Sequence, residues 1–596
     1  MKKYLYIALS VAVLGMVSCS KLKDDVLNGD PYTSFTKSNY FTSEKNVELF
    51  ANYFYNEWAG YGNSGSYGSF YFPTLNDNQT PTGYTEWSFT SVSASNNTWN
   101  NSYSNIRRAN IMIEAIPGIE SMNEAAKNNW LGIARMYRAW YHYVLVRTFG
   151  DCYYVDKVLG TSDKNVLYGP RQDRDLVMDK VLEDINFAVA NINQNAGSRV
   201  AVNAMVAQAI KSEICLYEGT FCKYRVAADG QKAPDATRAS RFLTEAKTAS
   251  QAIMENPMYE VSSSYRAIYN SDDLSSGVAS KEMILYKKYV YSTLAHSLID
   301  YTCGSTQQNG LTKDAFDAYL FTDGQCLANT TLDKNDHGVK VPIEAGAGAG
   351  YYRDEGTYLI DITEALAKRD PRLGESVDHV ILPPGLGYKR YKLGAESTSS
   401  TGYGVQKYDT PTFTDAVRRN SIGGAETDAP VFWLSNILLN YAEACAELGS
   451  CTQADLDKSV NQLRARVSMP DMTVAPAADP ANNMGVSNLI WEIRRERRVE
   501  LMFDNNDRYW SLIRWHQLDK LDQTRYPNLR KGAWVGADFR NADANLMEKT
   551  TIDADGYIDC SNGTVGRRYD KKQYLAPIPS GEISLNPEIG QNPGWE

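Results

Sequence analysis

Aromatic and uncharged polar residues are concentrated in residues 58–106, and this composition suits the binding of sugars. A sugar ring presents a face of C–H bonds and an edge of hydroxyl groups, so flat rings and neutral hydrogen-bonding groups hold it well. The segment has only two charged residues, Asp77 and Glu86. Its rings are Trp58, Tyr61, Tyr67, Phe70, Tyr71, Phe72, Tyr84, Trp87, Phe89, Trp99 and Tyr103. The segment predicts a carbohydrate-binding surface; the alternative is that these rings pack a long loop onto the rest of the protein.

A second pattern has the spacing of a calcium-binding loop. Asp333, Asn335, His337, Gly338 and Glu344 match positions 1, 3, 5, 6 and 12 of an EF-hand-type loop. Asp333, Asn335 and Glu344 would supply oxygen ligands, whereas His337 is a poor ligand for a hard cation. Flanking helices are not evident in the sequence, so an ordinary polar loop is the alternative.

Acidic and basic residues cluster near the C-terminal end, where Glu496, Arg497, Glu500, Arg508 and Arg514 lie close together in sequence. Such residues can act as acids and bases, but arginines paired with carboxylates between packed helices more often fix geometry. The chain has no GxSxG, HExxH or Walker-type motif. We therefore predict that it is not an enzyme. A surface glycosidase, which needs two carboxylates about 5–10 Å apart, is the remote alternative.

Helices with one apolar stripe account for most of the regular pattern. Between Glu124 and Phe149, apolar residues repeat at helical spacing, and Gly150 ends the pattern. Similar patterns predict helices over residues 43–58, 102–116, 174–192, 200–218 ending at Gly219, 239–255, 431–448, 455–467 and 487–503. Residues 59–101 and 258–430 are rich in Gly, Ser, Thr, Asn and Tyr instead. The predicted fold is mainly α, with tetratricopeptide-like helix pairs and long insertions of irregular loop and short strand.

The first nineteen residues have the pattern of a lipoprotein leader. Lys2 and Lys3 precede an apolar run over residues 4–18, which is too short for an ordinary membrane-spanning helix. Residues 16–19 (MVSC) resemble a bacterial lipobox, which predicts a signal peptide at 1–18, acylation of Cys19 and a tether over 19–30. An ordinary signal with a chance cysteine is the alternative. The net charge of -10, without a basic block, argues against nucleic acid as a partner.

Nine short motifs, in order along the chain, resemble those of the SusD/RagB family of outer-membrane lipoproteins. They are NYFTS at 39–43, YSNIRRAN at 103–110, RMYRAWYHYVLVRTFGD at 135–151, DPRL at 370–373, LNYAEA at 439–444, NQLRAR at 461–466, IRRERRVEL at 493–501, DRYWSLIRW at 507–515 and YLAPIP at 574–579. At residues 504–506 (DNN) the chain departs from the family, which has an acidic residue and a glycine there. The chain is identified as a member of this family.

This resemblance implies a SusD-like helical scaffold and a place on the cell surface. Residues 31–596 would form one domain, with helical parts at 31–257 and 431–596 and a loop-rich insertion at 258–430. The protein would sit on the outer membrane by its lipid anchor, capture oligosaccharide or polysaccharide, and deliver it to a SusC-like TonB-dependent transporter. Some family members import peptides, so a RagB-like peptide-binding lid is the main alternative. The nearly uncharged segment 58–106 favours a glycan.

The resemblance also indicates which parts of the chain contact the ligand, although no motif places single residues. The loop after the first helix and the central insertion supply such contacts in the family. By position and chemistry, the predicted ligand contacts are Asp77, Asn78, Tyr84 and Trp87, then Tyr71 and Trp99, and from the insertion Tyr291, Tyr301, Gln308 and Asn309. Apart from calcium at Asp333, Asn335 and Glu344, no cofactor is expected.

Overall fold

In the described residues of the computed structural model, nine helices of eight or more residues form the scaffold. The model describes residues 40–81, 91–194, 198–303, 307–343, 351–352, 358–390, 397–410, 421–536, 549–561 and 567–596. The long helices in this part are α1 (Glu44–Ala51), α2 (Asn97–Ala115), α3 (Glu124–Phe149), α4 (Arg174–Asn191), α5 (Ala204–Tyr224), α6 (Ala236–Met254), α7 (Leu434–Glu447), α8 (Asn488–Glu500) and α9 (Asp507–Arg514). The mainly α class predicted from the sequence is confirmed.

Shorter helices connect these elements or cap them. They span Lys164–Leu167, Ala267–Asn270, Leu298–Cys303, Lys313–Ala318, Thr363–Ala367, Pro371–Ser376, Gln453–Asp457, Val460–Arg466 and Ser580–Leu585. In the described part of the chain, every helix falls short of the length or apolar character needed to cross a bilayer.

Capping residues mark the ends of the long helices. The side chain of Asn123 accepts a hydrogen bond from the backbone N–H of Ala126 at the start of α3, and Asn203 does the same for α5. Helix α3 ends at Gly150, whose φ of 75° is favourable only for glycine. The end predicted for this helix is therefore confirmed.

Successive helices pack side by side, as pairs of a tetratricopeptide-like stack would. In chain order α2 packs on α3, α3 on α4, α4 on α5 and α5 on α6; α7 then packs on α6 and α8 on α7. The contact between α6 and α7 joins residues on either side of the whole loop-rich region. The insertion is therefore a side branch of a continuous helical stack.

One predicted helix end is wrong, and packing explains why. Helix α5 continues through Gly219 to Tyr224. A Cβ atom at position 219 would lie 2.7 Å from Cγ of Leu243 on α6, so this glycine allows two helices to approach closely. In the sequence Gly219 resembles a helix C-cap, because glycine is favoured both where a helix ends and where two helices approach closely.

Sixteen short strands in the described residues lie in the loops. They are β1 (Gly62–Asn63), β2 (Ser66–Tyr67), β3 (Gln79–Thr80), β4 (Met283–Lys287), β5 (Gln307–Gln308), β6 (Gly310–Leu311), β7 (Val339–Pro342), β8 (Tyr351–Tyr352), β9 (Tyr358–Asp361), β10 (Val377–Leu382), β11 (Lys389–Arg390), β12 (Thr398–Ser399), β13 (Gly402–Val405), β14 (Ala429–Trp433), β15 (Lys531–Trp534) and β16 (Tyr557–Asp559). One antiparallel sheet has four strands in the order β13-β10-β9-β7; the others are two-stranded, and only β5–β12 is parallel among the described pairs. The β3–β6 pair matters most for function, because it joins the first loop to the central insertion.

A buried network of arginines and carboxylates lies between the insertion and the C-terminal helices. Arg372 Nη1 donates to Glu496 Oε1 at 2.6 Å and to Glu500 Oε2 at 2.8 Å. Arg464 Nε donates to the other oxygen of Glu496 at 2.8 Å, and Arg466 Nη2 donates to Glu500 at 2.6 Å. Since all of these side chains are buried, each charge depends on its partners for compensation. The predicted structural role of Glu496 and Glu500 agrees with this geometry.

These ion pairs should make stability depend on pH. Burial alone would raise the pKa of Glu496, but Arg372 and Arg464 lower it from its ordinary value of 4.5 to about 2. A carboxylate with a lowered pKa stabilises the fold above its unfolded pKa, and this contribution disappears as the pH falls. We expect the free energy of unfolding, measured with urea, to fall by about 3 kcal/mol per such group between about pH 5 and pH 2.

A matched pair of variants isolates this effect. Glu496→Gln should lose about 3–5 kcal/mol at pH 7, because the arginines stay buried without their partner, and its stability should vary less below pH 5. Glu48→Gln is the control, since Glu48 pairs with Lys45 on the surface and should cost less than about 0.5 kcal/mol. An equal loss of unfolding free energy in both variants would contradict the conclusion that Glu496 compensates the buried arginines.

Candidate carbohydrate-binding site

The first loop is fixed at its base by buried tyrosines. The backbone N–H of Tyr61 donates to Tyr289 Oη at 3.0 Å, and Tyr61 Oη donates to the carbonyl of Tyr269 at 2.8 Å. The hairpin β1–β2 follows, with Gly62 at φ 86°, where an added Cβ would collide with the carbonyl of Ser66. The hairpin therefore projects Tyr67 away from an anchored base.

Three aromatic side chains meet at the surface beyond this hairpin. The rings of Tyr67 and Phe72 stack with centroids 4.5 Å apart, and Tyr301 meets each of them edge-on at 5.3 Å. Tyr67 is 61% exposed, whereas Phe72 and Tyr301 are half-buried. We call these three residues the aromatic cluster.

The two hydroxyl groups of the aromatic cluster bond to one another. Tyr67 Oη and Tyr301 Oη are 2.9 Å apart and share a hydrogen bond. This bond, and then burial, raises the pKa of Tyr301 to about 12. The cluster can therefore offer apolar ring area and uncharged hydroxyl groups to a ligand, which is the chemistry that sugars require.

Tyr71 joins the aromatic cluster to the central insertion. Its ring meets that of Phe72 edge-on at 5.3 Å, and its hydroxyl accepts a hydrogen bond from the backbone N–H of Asn309 at 2.8 Å. Tyr71 also has a φ of 61°, and its own N–H donates to the carbonyl of Phe503. Three of the predicted residues, Tyr71, Tyr301 and Asn309, are thus brought together by the fold, but the side chain of Tyr71 is buried and supports the cluster from below.

Asp77 and Asn78, which the sequence suggested as leading ligand contacts, have structural partners instead. Arg508 donates to both carboxylate oxygens of Asp77 at 2.7 Å, and Arg498 Nε donates to Asn78 Oδ1 at 2.7 Å. Burial would raise the pKa of Asp77, but Arg498 and Arg508 hold it well below its usual range. Both side chains are buried, so the prediction that they contact a glycan is wrong.

Two known sequence families match most of this chain. The sequence model of the SusD family matches residues 252–595, which is more than half of the chain. The chain belongs to the SusD family. A second family model, described as starch-binding and associating with the outer membrane, matches residues 28–214.

Curated relatives of this SusD-family chain are distant in sequence. It is 22% identical to SusD-like protein P38 of Formosa agariphila over 447 residues, covering 74% of each chain. It is 23% identical to a SusD-like protein of Bacteroides ovatus over 622 residues, covering 100% of this chain and 98% of the relative.

Solved structures share the fold. A SusD-like carbohydrate binding protein of Bacteroides fragilis superposes with a TM-score of 0.66 at 20% identity, covering 92% of this chain and 100% of the other. A laminarin binding SusD-like protein has a TM-score of 0.54 at 16% identity, covering 93% and 100%. At these identities the similarity establishes the architecture.

Trp99 and Gln308 are also buried in this SusD-family structure. Trp99 is 4% exposed, and its ring meets Phe149 edge-on at 5.2 Å in the core. Gln308 Oε1 accepts a hydrogen bond from the N–H of Val405 at 2.8 Å. The prediction of a ligand contact is therefore wrong for both residues.

The other predicted contacts are placed only in part. Tyr291 is half exposed, and its backbone N–H donates to Glu426, but it is not part of the aromatic cluster. Tyr84, Trp87, Cys19 and Glu344 lie outside the described residues. Tyr67 and Phe72 are members of the aromatic cluster that the sequence did not single out, although both rings were counted in segment 58–106.

The described residues of the calcium pattern make other contacts. Lys368 Nζ donates to Asp333 Oδ2 at 2.5 Å, and Asn335 Oδ1 accepts from the N–H of His337. The second half of the pattern runs into strand β7, and the ring of His337 stacks on Trp534 at 3.8 Å. Asp333 thus has a lysine partner, and Glu344 lies outside the described residues, so calcium binding here stays a prediction.

Trp99 is buried and Tyr168 is exposed, so truncation of the two rings should affect stability differently. Trp99→Ala should lower the free energy of unfolding by about 3–5 kcal/mol, because it leaves a cavity in the core. Tyr168→Ala removes a ring that is 59% exposed and should change it by less than about 0.5 kcal/mol. Urea unfolding of the two variants checks this; a small loss for Trp99→Ala would mean that its ring is not core.

Proposed function

We propose that the protein is a non-catalytic glycan-binding lipoprotein of the cell surface, which captures oligosaccharide and delivers it to a SusC-like TonB-dependent transporter in the outer membrane. The observation that carries the proposal is the aromatic cluster at the surface, where Tyr67 and Phe72 of an anchored loop meet Tyr301 of the insertion. Membership of the SusD family and the descriptions of its relatives as carbohydrate-, laminarin- or starch-binding support it.

The cluster suits a neutral sugar because its polar groups are phenols rather than charges. A pyranose can lie with its C–H face on Tyr67 or Tyr301 while its hydroxyl edge bonds to their hydroxyl groups. Two rings at 88° to one another offer surfaces for a bent chain rather than a flat one. Affinities in the micromolar to millimolar range, roughly -8 to -4 kcal/mol, suit a ligand that must be released to a transporter.

The cluster also provides the sharpest test. Tyr67→Ala and Tyr301→Ala should each weaken binding to a recognised polysaccharide by about tenfold, which corresponds to about 1.4 kcal/mol, because each removes a stacking surface. Affinity electrophoresis against a polysaccharide panel, followed by calorimetry, measures this with the protein freed of its leader. Tyr168→Ala is the matched control, since Tyr168 is 59% exposed and Tyr67 is 61% exposed.

The outcomes separate the rival functions. Retardation by a polysaccharide that both cluster variants lose, and the control keeps, supports the proposal. Binding only to oligopeptides would favour a peptide-importing lid, and release of shorter sugars would favour a glycosidase; either result contradicts the proposal.

Localisation can be tested separately, because the lipobox predicts a lipid anchor on the single residue Cys19. Two or more acyl chains, each worth about 0.8 kcal/mol per buried CH₂, would hold the protein stably on a membrane. Cys19→Ala should therefore move the protein from the membrane fraction to the soluble fraction after cell breakage. Membrane retention of this variant in cells without the transporter would contradict the lipid anchor.

A further inference from the structure

A second cavity lies away from the aromatic cluster, between helix α3, helix α9 and the C-terminal segment. Its volume is about 510 Å³, within the usual range of small-molecule sites. Its walls carry hydroxyl, amide and aromatic groups, and Arg147 is the one charged residue among the described residues that line it. The described lining residues therefore offer one cation, no acid and many neutral hydrogen-bonding groups, which matches a ligand with one negative charge and several hydroxyls.

Arg147 is held flat by aromatic rings. Its guanidinium lies over Trp510 at 4.3 Å and over Tyr143 at 4.9 Å. The ion pair it makes in the described structure, with Glu213, is loose at 3.8 Å, and Glu213 lines a smaller neighbouring cavity. Arg147 Nε is buried and has no hydrogen-bond partner in the described structure. Stacked in this way, the guanidinium is a fixed, incompletely paired donor group.

Two further polar groups line this cavity. Tyr509 is 6% exposed, and its ring packs edge-on against Trp510. Burial raises the pKa of Tyr509, so the group is a neutral phenol. The amide oxygen of Asn506 is buried and has no hydrogen-bond partner among the described residues. Since buried polar groups are nearly always hydrogen-bonded, this oxygen and Arg147 Nε together indicate a site built for a ligand.

We infer that this cavity binds the carboxylate-bearing sugar unit of an acidic saccharide, a hexuronic acid. Arg147 would pair with the planar carboxylate, for which a guanidinium fork is the best match among side chains. Trp510 and Tyr509 would bound the ring of the sugar, and the hydroxyl of Tyr509 and the amide of Asn506 would bond its hydroxyl groups. The site does not depend on the aromatic cluster, so the inference stands or fails separately from the proposed function.

The test uses calorimetry of the leader-free protein with glucuronic acid, its methyl ester, glucose and glucose 6-sulfate. Glucuronate should bind in the millimolar range or tighter, and at least about tenfold more tightly than the ester or glucose, because only glucuronate carries a carboxylate. Equal affinity for the ester, or no binding of glucuronate, would overturn the inference. Equal affinity for the sulfate would overturn the assignment to a carboxylate.

Variants show whether the named residues are responsible. Tyr509→Phe removes only a hydroxyl and should weaken glucuronate binding several-fold. Arg147→Lys keeps the charge but loses the fork, and should weaken it about tenfold. Arg107→Gln is the control, because Arg107 is an exposed arginine bonded to the carbonyl of Leu159. Thermal unfolding confirms that each variant is folded.

Two outcomes of the variant series would overturn the inference. One is wild-type affinity for glucuronate in both folded variants, Tyr509→Phe and Arg147→Lys. The other is loss of glucuronate binding in the Tyr67→Ala, Tyr301→Ala double variant, because the uronate would then be bound at the aromatic cluster. Retention of glucuronate binding in that double variant supports a second, separate site.

Discussion

Pairing between arginine and carboxylate or amide groups is the interaction on which the arrangement of this protein depends. Arg498 and Arg508, on α8 and α9, hold Asp77 and Asn78 at the end of the first loop. Arg372, within the insertion, is bonded to Glu496 and Glu500 on α8. Helix α8 therefore connects to both irregular regions through charged side chains that are buried with it. Removal of one partner would leave a buried charge uncompensated, so these pairs tie the loops to the helices.

The aromatic cluster follows from this constraint. The first loop is fixed at its start by Tyr61 and at its end by Asp77, and β3 pairs with β6 of the insertion. Tyr67 and Phe72 lie between these anchors, and Tyr301 enters from the insertion. Because two distant segments each contribute to the cluster, the rings meet only when the whole scaffold is folded. The second cavity is assembled in the same way, from α3, α9 and the C-terminal segment.

The sequence predicted the class of fold, the end of α3 at Gly150 and the region of the cluster, because helical periodicity, capping and local composition are local signals. It did not predict the roles of Asp77 and Asn78, because their partners lie more than 400 residues away. An acidic residue in an aromatic loop looks like a sugar contact until its arginine is found. Gly219 was misread for a similar reason, since its close neighbour Leu243 is on another helix. Periodicity indicates which face of a helix or strand is buried. It does not indicate which distant residue pairs with a polar side chain.

The clamp on Asp77 and Asn78 has a consequence for how such a protein can change over evolutionary time. Its hydrogen bonds come from Arg498 and Arg508, and neither Tyr67 nor Phe72 takes part in them. Exchange of either ring for another side chain therefore removes no contact of the clamp. The surface rings can diverge between relatives while the inherited framework that presents them stays the same.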